Sequence, residues 1–276
     1  MIPDRYAVIG HPVHQSRSPF IHARFAAQTG QVISYTTIDA TPGLFESTAK
    51  EFFASGGKGL NVTIPHKEAA ARLADELTAR AQRAGAVNLM ATRKDGSLLG
   101  DNADGAGLVR DLVANHHVDI GGRRVLLLGA GGAARGVISP LLEHKPLAFI
   151  IVNRNAERAR ALAQRFADLG PVRATGYDEL EDHPFDLVIN ATATSLAGSL
   201  PPLPPAVVSM HTICYDLAYG KDGTTFTRWA QRLGCAQAIT GLGMLVEQAA
   251  ESFQLWRGVR PTTDAVLRDL AADLRS

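Results

Sequence analysis

The stretch Arg124-Val-Leu-Leu-Leu-Gly-Ala-Gly-Gly-Ala-Ala-Arg135 decides the fold. Its apolar run, Val125 to Leu128, is typical of a strand buried at the centre of a parallel sheet, and it leads directly into glycines. Gly129 permits a tight turn, Gly131 lets the backbone approach a pyrophosphate, and the helix that follows offers free N–H groups and a favourable dipole. This context favours a dinucleotide-binding turn over an ordinary strand-to-helix turn.

The end of the next predicted strand, Phe149 to Val152, indicates which dinucleotide is bound. In NAD sites an acidic residue about 20 positions past the glycines bonds the ribose 2′-hydroxyl. Here Asn153 and Arg154 hold that place, and Arg158 follows four residues later. A guanidinium suits a 2′-phosphate because it offers paired donors and a permanent charge. The sequence therefore favours NADP, against the alternative that Asn153 caps a helix and both arginines are solvated surface charge.

Outward from this turn, apolar strands alternate with helical segments, which predicts mainly parallel sheets. We expect two α/β domains, at residues 1–103 and 104–240, with helices in 241–276 that pack back on the first domain. Ser18 is predicted to cap a helix with Pro19 at its first position, and Pro65 to open another. The predicted strands are 6–9, 32–38, 59–64, 124–128, 149–152, a short one near 172, 186–190 and 212–216.

Composition limits the classes of function. Lys plus Arg is 28 and Asp plus Glu is 27, so the formal charge is +1, which argues against a nucleic-acid binder with a broad basic field. Cys214 and Cys235 cannot form a disulfide framework, as expected in a reducing compartment. The start of the chain lacks a signal-peptide pattern, and no apolar run reaches about 18 residues. We expect a cytoplasmic protein with no membrane partner, and no metal because the nine histidines are scattered.

A polar cluster is predicted where the strand near residue 60 ends. Asn61 and Thr63 share one side of that strand, and the carboxyl ends of parallel strands are where α/β sheets bind ligands. Lys67 follows in the first turn of a helix, a poor place for a cation and therefore suited to a general acid/base. Asp104 either caps a helix or directs a carboxylate into an interdomain cleft, and composition does not separate the two.

The chain carries, in order, the motifs SRSPFIH (16–22), NVTIPHKE (61–68), AGAVN (84–88), GDNADG (100–105), GAGGAARG (129–136), NRN (153–155), INAT (189–192) and GLGMLVEQAA (241–250). Taken together, these motifs resemble the shikimate dehydrogenase family. The resemblance implies an N-terminal α/β substrate domain, a Rossmann-type doubly wound NADP-binding domain and a cleft between them. It also implies reversible reduction of 3-dehydroshikimate to shikimate by NADPH, a step of aromatic amino-acid biosynthesis.

The resemblance also assigns roles to individual residues. Lys67 and Asp104 become the catalytic pair, and Ser16 and Ser18, helped by Tyr219, would bind the substrate carboxylate. The remaining substrate residues would be Asn61, Thr63, Asn88 and Gln248. The cofactor would contact Gly129, Ala130, Gly131, Gly132, Ala133, Asn153, Arg154 and Arg158, with weaker candidates in Ala191, Thr192, Leu217 and Gly241.

The chain departs from the family pattern at positions that leave this lysine, aspartate and serine pair untouched. The departures are Gln15 for His, Ala103 for Thr, Asn155 for Thr, Ala193-Thr194-Ser195 for the common Ser-Ser-Gly, and Ala218 for an aromatic residue. Three alternatives stay open. They are a quinate/shikimate dehydrogenase of relaxed specificity, an NADP-binding regulator without catalysis, and another two-domain dehydrogenase, against which SRSP and NVTIPHKE speak. The assembly is expected to be a monomer or homodimer.

Overall fold

The computed structural model describes residues 2–195 and 197–275, and the chain divides into two compact units. The first unit takes the described residues of Met1–Gly107 together with Leu245–Asp273. The second takes Leu108–Met244 and the last described residues of the chain. The C-terminal segment 245–273 thus belongs to the same unit as the N-terminal hundred residues.

The first unit is a six-stranded mixed sheet in the order β2-β1-β3-β5-β6-β4. Strand β1 pairs in parallel with β2 and β3, whereas β5 runs antiparallel to both β3 and β6. The elements of this unit are β1 (Asp4–Gly10), α1 (Ser18–Thr29), β2 (Ile33–Asp39), α2 (Phe45–Ala54), β3 (Gly57–Val62), α3 (Lys67–Leu73), β4 (Glu76–Leu77), α4 (Ala79–Ala84), β5 (Leu89–Thr92), β6 (Leu98–Asp101) and the start of α5 (Asp104–Arg110). Most of α9 (Leu242–Arg257) and α10 (Asp264–Arg275) follow.

Two predicted helix starts in this unit are wrong. Helix α1 begins at Ser18 itself, and Ser18 does not cap it; instead the Ser18 amide donates to Ser16 Oγ at 3.3 Å. Pro65 does not open α3 either. Strand β3 ends at Val62, and a turn closed by the His66 amide on the Thr63 carbonyl (3.0 Å) precedes the helix, which starts at Lys67.

The second unit is a six-stranded sheet in which every pair of neighbouring strands is parallel, in the order β12-β11-β10-β7-β8-β9. This is the doubly wound order, and its direction reverses between β7 and β10, where such sheets bind ligands. Its elements are β7 (Arg124–Leu128), α6 (Gly132–Glu143), β8 (Ala148–Val152), α7 (Ala156–Arg165), β9 (Val172–Thr175), β10 (Leu187–Asn190), β11 (Ile213–Asp216), α8 (Thr225–Arg232) and β12 (Gln237–Thr240).

Apolar strands explain why this sheet forms. Val125 to Leu128 and all four residues of β10 are buried, so helices cover both faces of these strands. Two apolar clusters pack on the sheet, one around Phe149 and Phe166 and the other around Phe185 and Phe226. The helix predicted from Asp104 to Asn115 is α-helical only to Arg110 and ends in a π-helical turn over Asp111–Asn115.

Within residues 2–195 and 197–275, no helix combines the length and apolar character needed to cross a membrane.

Candidate active site

Lys67 and Asp104 form a buried ion pair in the first unit. Lys67 Nζ lies 2.5 Å from Asp104 Oδ2, and the two side chains are only 12% and 6% exposed. Lys67 is the first residue of α3, where the helix dipole disfavours a cation, so the Asp104 carboxylate supplies the compensating charge. At this distance the ammonium donates a charge-assisted hydrogen bond to the carboxylate, which fixes the position of Lys67 Nζ.

Asn88 holds Asp104 in place from the adjacent strand segment. Its Nδ2 donates to Asp104 Oδ1 at 2.8 Å, and its Oδ1 accepts the Ala103 amide at 2.8 Å. Asn102 Oδ1 accepts the Asp104 amide at 3.1 Å. The side-chain oxygen of Gln248, on α9, comes within 3.5 Å of Asn88 Nδ2. The structure therefore brings four sequence-predicted residues, Lys67, Asn88, Asp104 and Gln248, into one cluster.

Asn61 joins the same neighbourhood through two residues that sequence reasoning missed. Tyr35 donates its hydroxyl to Asn61 Oδ1 at 2.7 Å, and Asn61 Nδ2 donates to Ser252 Oγ at 2.8 Å. Burial raises the pKa of the Tyr35 phenol, and a hydrogen bond with Ser18 offsets part of that rise. Tyr35 and Ser252 thus fix the orientation of the Asn61 amide, which is itself 5% exposed.

Ser16 and Ser18 are linked to Asn61 by Tyr35, which has hydrogen bonds with both Ser18 and Asn61. Ser16 Oγ and Ser18 Oγ are 3.2 Å apart, which suits two donors to one carboxylate. Thr63 lies in the turn after β3, with its methyl group so close to Gly10 that a Cβ on that glycine would overlap it. Gly10 therefore has to lack a side chain for Thr63 to keep its position.

Charged side chains support the end of β6, which leads through two residues to Asp104 at the start of α5. Buried Asp101, the last residue of β6, accepts a bidentate pair of bonds from Arg80 at 2.7 and 2.6 Å and one from Thr78 at 2.5 Å. Burial acts to raise the pKa of Asp101, but Arg80 and Thr78 outweigh it and hold that pKa below its ordinary value. Arg80 also reaches Glu251 on α9 at 3.7 Å.

The glycine turn of the second unit follows β7 as predicted from the sequence. Gly129 has φ +106°, which favours glycine, and a Cβ there would lie 3.2 Å from the Ala191 carbonyl. Gly131 is the N-cap of α6, and a Cβ on it would meet nothing within 4 Å, so its backbone is open to an approaching group. An open glycine at the start of a 12-residue helix fits a pyrophosphate.

A polar recess of about 600 Å³ lies at the carboxyl end of β8 and is lined by Asn153, Arg154, Asn155 and Arg158. Asn155 caps α7 by accepting the Arg158 amide at 3.1 Å, while Asn153 Nδ2 donates to the Asn155 carbonyl at 2.9 Å. Asn153 is therefore not the helix cap. With two exposed arginines and two amides in its lining, this recess fits a phosphate group.

The remaining candidates lie after β10 and β11 and at the start of α9. Thr192 follows β10 and is 3.2 Å from a Cβ placed on Gly129. The Leu217 amide donates to the Asn190 carbonyl at 2.9 Å, and a Cβ on Gly241 would overlap the Leu217 carbonyl. Tyr219 lies in the loop after β11, in the second unit, whereas Ser16 and Ser18 lie in the first.

Three models of known families match successive parts of the chain. The shikimate dehydrogenase substrate binding domain matches residues 8–90, the shikimate / quinate 5-dehydrogenase model matches 111–197, and the shikimate 5′-dehydrogenase C-terminal domain matches 241–270.

Relatives match over almost their whole length. The shikimate dehydrogenase (NADP(+)) of Methylococcus capsulatus is 53% identical over 99% of this chain and 98% of its own. The Ael1 enzyme from Pseudomonas putida has 46% identity and a TM-score of 0.89, with 97% and 98% of the two chains covered. The shikimate 5-dehydrogenase of Thermus thermophilus, solved in complex with shikimate, has 34% identity and a TM-score of 0.86, with 99% and 100% covered.

Proposed function

The chain belongs to the shikimate dehydrogenase family, and from that membership we propose that it catalyses the reversible reduction of 3-dehydroshikimate to shikimate with NADPH. In chemical terms, a ketone takes up a hydride at carbon and a proton at oxygen, and a secondary alcohol results. The observation that carries the proposal is the buried pair of Lys67 and Asp104, since the protein has to supply that proton.

In the proposed mechanism Lys67 is the general acid of the reduction. Its ammonium donates a proton to the substrate oxygen as negative charge develops there, and in the oxidation the amine takes that proton back. Asp104 accepts from Lys67 and keeps it pointed at the substrate. Asn88 fixes Asp104 through its bond to Oδ1, so the pair keeps one geometry.

Neutral donors and acceptors of the first unit would bind the rest of the substrate. The hydroxyls of Ser16 and Ser18 are close enough to donate to one carboxylate. Asn61, Thr63 and Gln248 would bond the ring hydroxyls, and Tyr219 is the proposed additional donor to the carboxylate. Tyr35 and Ser252 hold the Asn61 amide in one orientation, so this part of the site is preorganised.

The second unit would hold NADP, which supplies hydride chemistry when bound. The open backbone at Gly131 and the α6 N-terminus suit the pyrophosphate, with Gly129, Ala130, Gly132 and Ala133 forming the turn around it. The recess of Asn153, Arg154 and Arg158 suits the 2′-phosphate. Thr192, Leu217 and Gly241 line the neighbouring loops and are proposed as further contacts.

Turnover of paired substrates tests this proposal. Purified protein should oxidise NADPH rapidly with 3-dehydroshikimate, and only slowly when NADH or 3-dehydroquinate replaces one reactant. Comparable use of the replacements would assign the chain to a quinate/shikimate enzyme of relaxed specificity. Folded protein that binds NADPH but turns over none of the pairs would be a regulator, and the catalytic proposal would be wrong.

We further propose that the enzyme works in the cytoplasm as a monomer or homodimer. The observed mass in solution, by light scattering, distinguishes the two states. A larger assembly would contradict this part of the proposal.

A further inference from the structure

Asp216 is a fully buried carboxylate that ends β11, and its hydrogen-bond partners within residues 2–195 and 197–275 are all neutral. Ser195 Oγ and Thr224 Oγ1 donate to its Oδ2 at 2.5 and 2.6 Å, and Asn190 Nδ2 and the Ala218 amide donate to its Oδ1 at 3.2 and 3.0 Å. Burial raises the pKa of this carboxyl, and the four hydrogen bonds offset part of the rise. Because four donors from different segments meet at this one buried carboxylate, Asp216 fixes the positions of those segments relative to one another.

One branch of these contacts leads into the segment 191–195 after β10. Asn190, which bonds Asp216, also accepts the Thr192 amide at 3.1 Å and the Thr192 hydroxyl at 2.6 Å through its Oδ1. Thr192 and Thr194 hydroxyls are in turn 2.6 Å apart. Ser195 closes the far end of the segment on Asp216, so the segment is fastened at both ends.

A second branch leads to α8, where the donor to Asp216 also caps a helix. Thr224 is the N-cap of α8 and forms a capping box with Thr227, whose amide donates to Thr224 Oγ1 at 3.1 Å. The Thr224 hydroxyl therefore serves the helix start as well as Asp216. The two hydroxyls reach the same carboxylate oxygen, but only that of Ser195 belongs to the 191–195 segment.

The fastened segment lies at the point where the sheet direction reverses. The Ala191 amide donates to the Leu128 carbonyl at 2.9 Å, and both Ala191 and Thr192 are in contact distance of a Cβ on Gly129. Whatever binds at the glycine turn therefore meets this segment.

We propose that Ser195 and Asp216 form a positioning pair that holds residues 191–195 in the conformation that binds the cofactor. Neither residue needs to contact the cofactor; the pair acts through Thr192 and the backbone around it. The inference deepens the proposed function, on which it rests for the identity of the cofactor as NADP.

The test compares two hydroxyl deletions on the same carboxylate oxygen, read as NADPH affinity and as thermal stability. NADPH is titrated into each variant and its fluorescence gives the Kd. Ser195→Ala should raise the NADPH Kd by about 3- to 10-fold, the loss of part of a charge-assisted hydrogen bond, with a smaller fall in Tm than Thr224→Ala. Thr224→Ala should lower Tm by about 2–6 °C because a helix cap is lost, with the NADPH Kd nearly unchanged.

Steady-state kinetics add a readout that a purely structural role would not move. Ser195→Ala should raise KM for NADPH while kcat and KM for 3-dehydroshikimate stay near wild type. Asp216→Asn should raise the NADPH Kd at least as much as Ser195→Ala, since it disturbs all four hydrogen bonds to this side chain. Asp186→Asn is the matched control: Asp186 directly precedes β10, at the opposite end of the strand, its Oδ2 accepts the Arg124 amide at 2.7 Å, and the NADPH Kd of this variant should not change.

Two results would overturn the proposal. One is an unchanged NADPH Kd in Ser195→Ala, and the other is an equal rise in Thr224→Ala, which would make Asp216 a general determinant of the fold. The wild-type protein separates this proposal from the proposed function. If it binds NADPH without turnover, catalysis fails while the Kd comparison still decides the role of the pair. If it does not bind NADPH, both proposals fail.

Discussion

Each unit of the molecule buries a carboxylate at the end of a strand, and the two are stabilised in opposite ways. Asp101 ends β6 and accepts hydrogen bonds from the Arg80 guanidinium, whereas Asp216 ends β11 and, within the described part of the chain, accepts from hydroxyl and amide donors alone. The pKa of Asp101 is lowered and that of Asp216 is raised, although both side chains are buried. The sign of the shift depends on whether a cation is present, because hydrogen bonds from neutral groups do not fully offset desolvation here.

The difference follows the division of chemistry that we propose. The first unit, which would bind and protonate the substrate, neutralises buried Asp104 with Lys67 and buried Asp101 with Arg80. The second unit, which would bind a nucleotide of high negative charge, keeps its two candidate arginines exposed at the end of β8. One of its two fully buried acids, Asp216, instead ties loops together.

Removal of the Lys67 ammonium should have the largest effect. Lys67→Ala is expected to lower turnover by about 10²- to 10⁴-fold, the usual contribution of a general acid/base, as measured by steady-state kinetics at saturating substrates. Lys50→Ala is the control, because Lys50 pairs with Glu46 in an exposed i,i+4 bridge. Near-normal turnover of Lys67→Ala would exclude it as the proton donor.

Removal of the Arg80 guanidinium should strongly reduce stability. Arg80→Met leaves the buried Asp101 carboxylate unpaired and is expected to lower the free energy of unfolding by about 2–4 kcal/mol, measured by urea denaturation. This is below the full cost of breaking a buried pair because Arg80 is 35% exposed. Arg93→Met, which breaks the exposed pair with Glu76, should lower the free energy of unfolding much less. An equal loss of unfolding free energy in both variants would show that burial of Asp101 does not make its ion pair more important for stability.

Removal of one guanidinium from the recess should affect one cofactor and spare the other. Arg154→Ala is expected to weaken NADPH binding by about 1.5–3 kcal/mol, as for a hydrogen bond to a charged group, with NADH binding nearly unchanged. Arg160→Ala, on the helix that follows, is the control, since Arg160 pairs with Glu157 and Glu179. Equal losses for NADPH and NADH would refute a role at the 2′-phosphate.

His22 of the first unit resembles Asp216 in that burial, and not a charged partner, sets the sign of its pKa shift. The ring is fully buried and stacked on Tyr35, with centroids 4.2 Å apart, and burial lowers its pKa to about 3 from an ordinary value of 6.5. Below pH 6.5 the unfolded chain binds a proton that the folded chain rejects, so stability falls as the pH falls through this window.

His22→Phe should remove this pH dependence. Between about pH 6.5 and pH 5, wild type should lose about 2 kcal/mol of stability more than His22→Phe does, as measured by urea denaturation at both pH values. The exposed His183, changed to Phe, should leave the wild-type slope unchanged. A His22→Phe protein with the wild-type slope would mean that the ring is accessible to protons in the folded state.

Much of the second unit could be predicted because its strands are continuously apolar. The strand at 124–128 is confirmed as β7, and those predicted at 149–152, 186–190 and 212–216 fall on β8, β10 and β11 within one residue at each end. In the first unit, β5 and β6 were not predicted, because Leu89–Thr92 and Leu98–Asp101 are short and mix apolar with polar residues. Their hairpin depends on the turn at Gly96, with φ +88°.

The active-site pairing depends on contacts that periodicity does not encode. Lys67 and Asp104 are 37 positions apart, and only the family resemblance connects them before the fold is known. Arg80, Tyr35 and Ser252 carry no motif, so their contacts with Asp101 and Asn61 emerge from packing alone. Asp216 had a usable signal: an acid that directly follows the apolar residues Ile213 to Tyr215 at the carboxyl end of a central strand is worth testing as a loop-organising group.

The most direct test of the division between the two units is to measure NADPH Kd and turnover for Lys67→Ala and Arg154→Ala side by side. We predict that Lys67→Ala loses turnover while its NADPH Kd stays within about twofold of wild type, and that Arg154→Ala binds NADPH weakly but retains most of its turnover at saturating NADPH. Parallel loss of both properties in both variants would contradict this division of roles.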